Sequence, residues 1–251
     1  MVWYETIVPE NLNHGELDAY LERGWYRIGQ SLITTNWSIL GEKFFSVFWM
    51  RYNLSLFHPG GSANRIAKTG RSFRKEVKQL HFTAELEDLF QAYRAKLAFD
   101  TAPTLEQHLM GGSSKENLFS SKQLELRDGK KLIAVGFFDE GITAMAGILN
   151  IYDPAYQKFS PGKLLMLHKI RQAQMMGMQF FYPGYVSYCV PHFDYKFFAD
   201  PSATEIFVRS KGSWVTYQGL NLSIVYQEML KCDLQLLNDT VGKADIENQI
   251  L

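Results

Sequence analysis

The sequence predicts an α+β fold, a mixed and mostly antiparallel sheet flanked by helices, with a small strand-rich lobe ahead of it. Three strand-like runs between residues 119 and 154 are separated by Arg127-Asp128-Gly129-Lys130 and Asp139-Glu140-Gly141. Asp-Gly between β-prone runs is the strongest short hairpin signal, so these runs read as an antiparallel meander. A helical segment over 162–176 then leads directly into a strand over 178–183. A separate group of aromatic, β-branched runs precedes His58-Pro59-Gly60-Gly61-Ser62, a turn or flexible loop. That loop sets the expected division: 1–61 as the small lobe, 62–251 as the larger domain.

Along the chain, "ELDAYLERG" is a short helix ending at Gly24, a typical residue just past a helix C-terminus. "WYRIGQSLITT" and "KFFSVFWMRYNLSLF" are strands by their aromatic and β-branched content. The next run is basic, with Arg65, Lys68, Arg71, Arg74, Lys75 and Lys78 against the single acid Glu76, and its i, i+3 spacing suits one face of a helix. Apolar residues at 86, 89, 90, 93 and 97 mark an amphipathic helix, and "TLEQHLMG" a shorter one. After the meander, helix and strand come a further strand, "TEIFVRS", then Trp214, then a terminal helix from about 220 to 238.

The composition narrows the function. With 26 basic and 26 acidic side chains in 251 residues, indiscriminate nucleic-acid binding is disfavoured, although a local basic patch survives that average. Cys189 and Cys232 alone exclude a disulfide framework or a Cys-rich zinc site, and two reduced thiols are expected. His58, His81, His108 and His168 have no metal-ligand spacing, so no metal is expected. The N-terminal residues lack the basic start and apolar core of a signal peptide. No apolar run approaches the roughly 20 residues that span a bilayer, so a cytoplasmic protein without a membrane partner is expected.

Candidate chemistry gathers between residues 152 and 196. The frame Gln157-x-x-Ser160-x-Gly162 opens a helix, and helix N-terminal amides can hold an anion. Acetyltransferases of the GNAT superfamily grip the pyrophosphate of coenzyme A with such a turn. Here Pro161 removes one N–H and Ser160 replaces a glycine, so a helix start with Ser160 as N-cap and Pro161 in the first turn explains the turn without a ligand. Tyr182, Tyr185 and Tyr188 either stack on a base or pack in a sheet. His192 has a suitable pKa for a general base, yet a lone histidine among aromatics is more often structural. Cys189 lacks an evident base partner, and Asp153 before Pro154 reads first as a turn former and second as a ligand for a peptide amine.

Tyr152-Asp153-Pro154, Ser160, Gly162, Tyr182, Gly184, Tyr185, Cys189, Tyr195 and Lys196, in that order and spacing, resemble arginyl-tRNA–protein and bacterial leucyl-tRNA–protein transferases. Arg71, Arg74 and Lys75 match a basic stretch of that family, and "LERGWYRIGQSL" its early Gly-Trp element. The likeness runs from about residue 17 to 210; the family's N-terminal cysteine cluster is absent, and Pro191, His192 and Phe193 depart from its pattern.

The resemblance implies a GNAT-like domain, with aminoacyl-tRNA as donor in place of an acyl-CoA and no cofactor. It implies transfer of arginine or leucine to a protein or peptide N-terminus, within the N-degron pathway. On it, Tyr182, Tyr185, His192 and Lys196 are the candidate catalytic residues. Tyr152, Asp153, Ser160, Gly162, Tyr188 and Tyr195 would line the substrate, and Arg65, Lys68, Arg71, Arg74, Lys75 and Lys78 would hold the tRNA. The alternatives are an acyl-CoA-dependent N-acyltransferase, which would take acetyl-CoA, and a silent relative that binds RNA or protein.

Overall fold

The computed structural model describes residues 4–40, 43–97, 101–112, 117–188 and 190–233, with side chains of 40, 43, 44, 191 and 192 excepted. The first elements are β1 (Tyr4–Ile7), α1 (His14–Glu22), β2 (Tyr26–Ile28), β3 (Ser31–Thr35), β4 (Trp37–Leu40) and β5 (Lys43–Ser46). Helix α1 begins with a capping box: the Asn13 side chain accepts from Glu16 N–H while Glu16 reaches back to Asn13 N–H. Strands β1, β3 and β2 form a small antiparallel sheet, and β4 and β5 a hairpin.

The remaining elements are β6 (Phe48–Asn53), α2 (Gly61–Thr69), β7 (Arg74–Gln79), α3 (Ala84–Arg94), α4 (Leu105–Met110), β8 (Ser121–Asp128), β9 (Lys131–Glu140), β10 (Ala144–Tyr152), α5 (Pro161–Met175), β11 (Phe180–Val186), β12 (Thr204–Val208), β13 (Ser213–Thr216) and α6 (222–233). Short 3₁₀ helices run over Pro154–Phe159 and Pro191–Phe198. Eight strands make the large sheet in the order β13-β12-β6-β11-β10-β9-β8-β7. Neighbours are antiparallel except β10 and β11, which run parallel because α5 carries the chain back between them. The α+β architecture read from the sequence is therefore present: meander, crossover helix, parallel strand and flanking helices.

Several expectations are corrected here. The division after residue 61 leaves β6 with the small lobe, yet β6 pairs with β11 and β12 inside the large sheet. Its Met50 and Tyr52 are fully buried there, so one face of the aromatic run belongs to the main core while Phe45 and Trp49 face the small lobe. The basic run is not one helical face either. Arg65 and Lys68 lie on α2, Arg71 in the turn after it, and Arg74, Lys75 and Lys78 on β7, the edge strand. Gly70 ends the helix with its Cα against the Leu164 side chain, and the chain then joins the ladder beside β8. The terminal helix is described to residue 233; its expected end at 238 lies outside the described residues.

Helix α5 covers one face of the sheet with Leu164, Leu165, Ile170 and Ala173, against Ile133, Met145 and Phe181. On the other face, α3 and α4 bury Leu86, Phe90, Leu105 and Leu109 over Val135, Phe137 and Ile151. The small lobe adds a third cluster, with Leu17, Leu21, Tyr26, Leu32 and Phe45 around Trp49 and Tyr182.

Candidate active site

Strands β10 and β11 pair only over Ala144–Ala146 and Phe180–Tyr182, and then part. Irregularities begin at the same level: β10 slips register against β9 between Gly147 and Leu149, and β11 slips against β6 between Phe181 and Gly184. Bulges bend strands and release backbone groups, so the sheet opens here by construction. Gly184 takes φ +100°, a conformation that side chains rarely adopt.

Lys196, from the 3₁₀ helix after β11, stands at this opening. Its Nζ donates to the Tyr185 carbonyl at 2.5 Å and lies 4.9, 5.0 and 5.6 Å from the ring centres of Tyr185, Phe193 and Tyr195. The residue is buried, and Tyr52 donates from below to its carbonyl. Burial disfavours the ammonium form and brings the lysine from 10.5 down to about 7. A lysine that is half neutral near pH 7 can accept a proton from an attacking amine.

Tyrosines extend the site. Tyr195 rises to about 12 by desolvation, and then through the neighbouring Tyr93, Tyr185 and Tyr152 hydroxyls. Tyr93 of α3 and Tyr152 at the end of β10 pack edge to face at 5.2 Å. Tyr152 also meets the start of α5, where a Cβ on Gly162 would lie 3.9 Å from its ring. Four tyrosines from α3, β10, β11 and the 3₁₀ helix thus gather on the side where Lys196 stands.

Beneath them lies a second buried amine. Lys169 of α5 donates to Asn150 Oδ1 at 2.9 Å and to the Phe137 carbonyl at 3.2 Å, and Asn150 donates on to the Gly162 carbonyl at 3.2 Å. Burial brings Lys169 to about 7 as well, opposed by Asp139. This chain ties the first turn of α5 to the middle of β9 and β10.

Tyr152, Gly162, Tyr185, Tyr195 and Lys196 are therefore brought together around the opening. Other candidates stand apart. The Tyr182 hydroxyl engages Arg51, whose Nη1 donates to it at 3.1 Å, and donates to Glu22 at 3.4 Å; Arg51 also pairs with Glu205. Tyr188 packs on Tyr226 of α6 at 5.2 Å. Asp153 caps the 3₁₀ helix, accepting from Ala155 N–H at 2.9 Å, and pairs with Lys131 at 2.7 Å. Ser160 holds the N-cap position without a capping hydrogen bond from its side chain. Its backbone is left-handed, φ 53°, because it both closes the 3₁₀ helix and opens α5 in a sharp reversal. Cys189 and the side chain of His192 lie outside the described residues.

Of the basic residues, Arg65, Lys68, Arg71 and Lys75 are exposed and hold no ion pair among the described residues. Lys78 is paired with Glu125 at 3.0 Å and Arg74 with Glu76 at 3.5 Å. The end of α2 adjoins the turn before α5, where Thr69 Oγ1 donates to the Phe159 carbonyl at 3.4 Å. Lys163, in the first turn of α5, lies 5.2 Å over the Phe198 ring of the 3₁₀ helix that bears Lys196.

Sequence reasoning missed Lys169, Tyr93, Asn150 and Phe193. Lys169 had a signal: it falls four residues from both Leu165 and Ala173, on the apolar stripe of α5. Tyr93 was legible only as a core position of α3, since its meeting with Tyr152 spans distant parts of the chain.

Residues 85–204, which hold every member of this cluster, match the family model described as arginine-tRNA-protein transferase, C terminus. An aspartate/glutamate leucyltransferase of Paracoccus denitrificans is 26% identical over 216 residues, 76% of this chain and 72% of that protein. One of Nitrosococcus oceani is 28% identical over 139 residues, 54% of this chain and 58% of that protein, so the chain spans little more than half its length. Among solved structures, the ribosomal-protein-S18-alanine N-acetyltransferase from Escherichia coli overlaps 42% of this chain and 63% of that one, at 18% identity and a TM-score of 0.31. The segment from residue 85 to 204, with its opened sheet and its caged lysine, is the part of this chain that resembles the C-terminal domain of arginine-tRNA-protein transferases.

Proposed function

We propose that the chain moves an aminoacyl group from aminoacyl-tRNA to the α-amine of a protein N-terminus. The observation that carries this reading is the Lys196 amine, held near neutrality in an aromatic cage where the sheet opens. The ester of aminoacyl-tRNA is already activated, so catalysis needs positioning and proton removal and no protein nucleophile. The amine nitrogen attacks the ester carbonyl carbon, the C–N bond forms, and neutral Lys196 takes the amine proton. The bond to the terminal ribose oxygen then breaks, and that oxygen leaves as a hydroxyl with the proton Lys196 returns.

The donor's phosphates lie along α2 and the start of α5, on Arg65, Lys68, Arg71, Lys75 and Lys163, which leads to the cage through Phe198. Leucine is the favoured donor. The rings of Tyr185, Phe193 and Tyr195 offer an apolar wall. The names of the relatives point the same way and suggest acidic N-terminal residues as acceptors, as in cytoplasmic N-end-rule degradation. Among the described residues no helix is long and apolar enough to cross a membrane. Incubating the protein with labelled leucyl- or arginyl-tRNA and peptides beginning Asp, Glu, Lys or Arg tests the reading. Label on the peptide is expected; tRNA retention without transfer would replace the enzyme by a silent binder.

A further inference from the structure

Tyr26 belongs to the small lobe, yet its hydroxyl lies at the fork of the large sheet. It donates to the Gly147 carbonyl of β10 and lies 3.3 Å from the Tyr182 carbonyl of β11. Gly147 follows the last residue of β10 that pairs with β11, and Tyr182 is the last residue of β11 to do so. A Cβ on Gly184 would stand 3.9 Å from both the Tyr26 hydroxyl and Lys196 Nζ, so the phenol and the amine flank one glycine. The ring is fixed by stacking on Trp49 at 5.2 Å, and Trp49 meets Tyr185 edge-on at 5.7 Å. The next residue, Arg27, anchors β2 to the sheet through a wholly buried ion pair with Asp139 at 2.8 Å.

We propose that Tyr26 is a positioning residue for the transfer reaction, its hydroxyl tying β10 to β11 where they part and so fixing the opening beside Lys196. This inference rests on the transferase reading. Burial, and then Asp139, keep the phenol well above its ordinary value, so it stays a donor across the physiological range. A bulge alone leaves a strand end free to shift; a bifurcated hydrogen bond from a separately anchored strand, its one proton shared between the two carbonyls, does not. The small lobe is thereby coupled to the chemistry although it supplies no group to the cage.

Tyr26→Phe keeps the ring on Trp49 and removes only the tie. With leucyl-tRNA and an acceptor peptide, the variant is expected to lose at least tenfold in kcat, with KM for leucyl-tRNA within twofold of wild type. Amide exchange over residues 147–150 and 182–186 should accelerate at least tenfold, with β8 and α3 unchanged. That exchange is measured whether or not the wild type transfers an amino acid, so failure of the transferase reading is seen separately in the wild type. Unchanged exchange at the fork, or an active wild type matched in kcat by Tyr26→Phe, would overturn the proposal.

Discussion

Replacing Lys196 with methionine keeps most of the side-chain volume and removes the amine. A lysine moved from 10.5 to about 7 by burial carries a folded-state cost of about 5 kcal/mol when charged. The folded value lies below the unfolded one, so between about pH 7 and 10.5 the unfolded chain holds more protons and stability rises with pH. Integrated from pH 6 to pH 9, that one group contributes a rise of about 3 kcal/mol. Lys169 adds a similar slope, but equally in both proteins, so the difference between wild type and Lys196→Met isolates Lys196. Urea denaturation at pH 6, 7, 8 and 9 reads that difference. Activity follows the same group: the neutral amine is the base, so kcat should climb through about pH 7 in wild type. In Lys196→Met it should fall by about 10²–10⁴. A stability difference that does not change between pH 6 and 9, or a variant within threefold of wild-type kcat, would refute the reasoning.

Alanine at Arg65, Lys68 and Arg71 together should weaken tRNA binding and lower the salt slope by about one for each phosphate no longer neutralised, in filter binding across salt concentrations. Lys78→Ala should do less, since Glu125 already neutralises that charge. Acetyl-CoA should show no micromolar complex by calorimetry, because Pro161 withholds an N–H and Ser160 bends the turn at φ 53°. Asp139→Asn should cost about 3–5 kcal/mol in chemical denaturation, since it leaves the Arg27 guanidinium buried without its counter-charge.

The main sheet was legible because its signals are local. Asp128-Gly129 and Glu140-Gly141 punctuate the meander, and Ser160-Pro161-Gly162 marks the start of α5. The fate of β6 was not legible: its neighbours β11 and β12 are more than 120 residues away, and an aromatic run reads alike in either lobe. The basic run misled because i, i+3 charges suit a helix, whereas pairing with β8 decides for a strand from Arg74 onward. Around the opening, Tyr185, Tyr195 and Lys196 were named through a family likeness, and the structure shows how they come to lie together. Tyr182 was named on the same grounds, but the slip between Phe181 and Gly184 leaves its hydroxyl on the Arg51 side of the sheet. Tyr26 had no local mark, since alternation in β2 says only that it points inward.

Transfer of labelled leucine from leucyl-tRNA to a peptide beginning with Asp or Glu, followed from pH 6 to pH 9, tests the account most directly. The account predicts leucine joined to the peptide α-amine, at a rate whose rise with pH includes an ionisation near pH 7 that is missing in Lys196→Met, where the rate falls by about 10²–10⁴. No transfer from either leucyl- or arginyl-tRNA, with tRNA still bound, would contradict it.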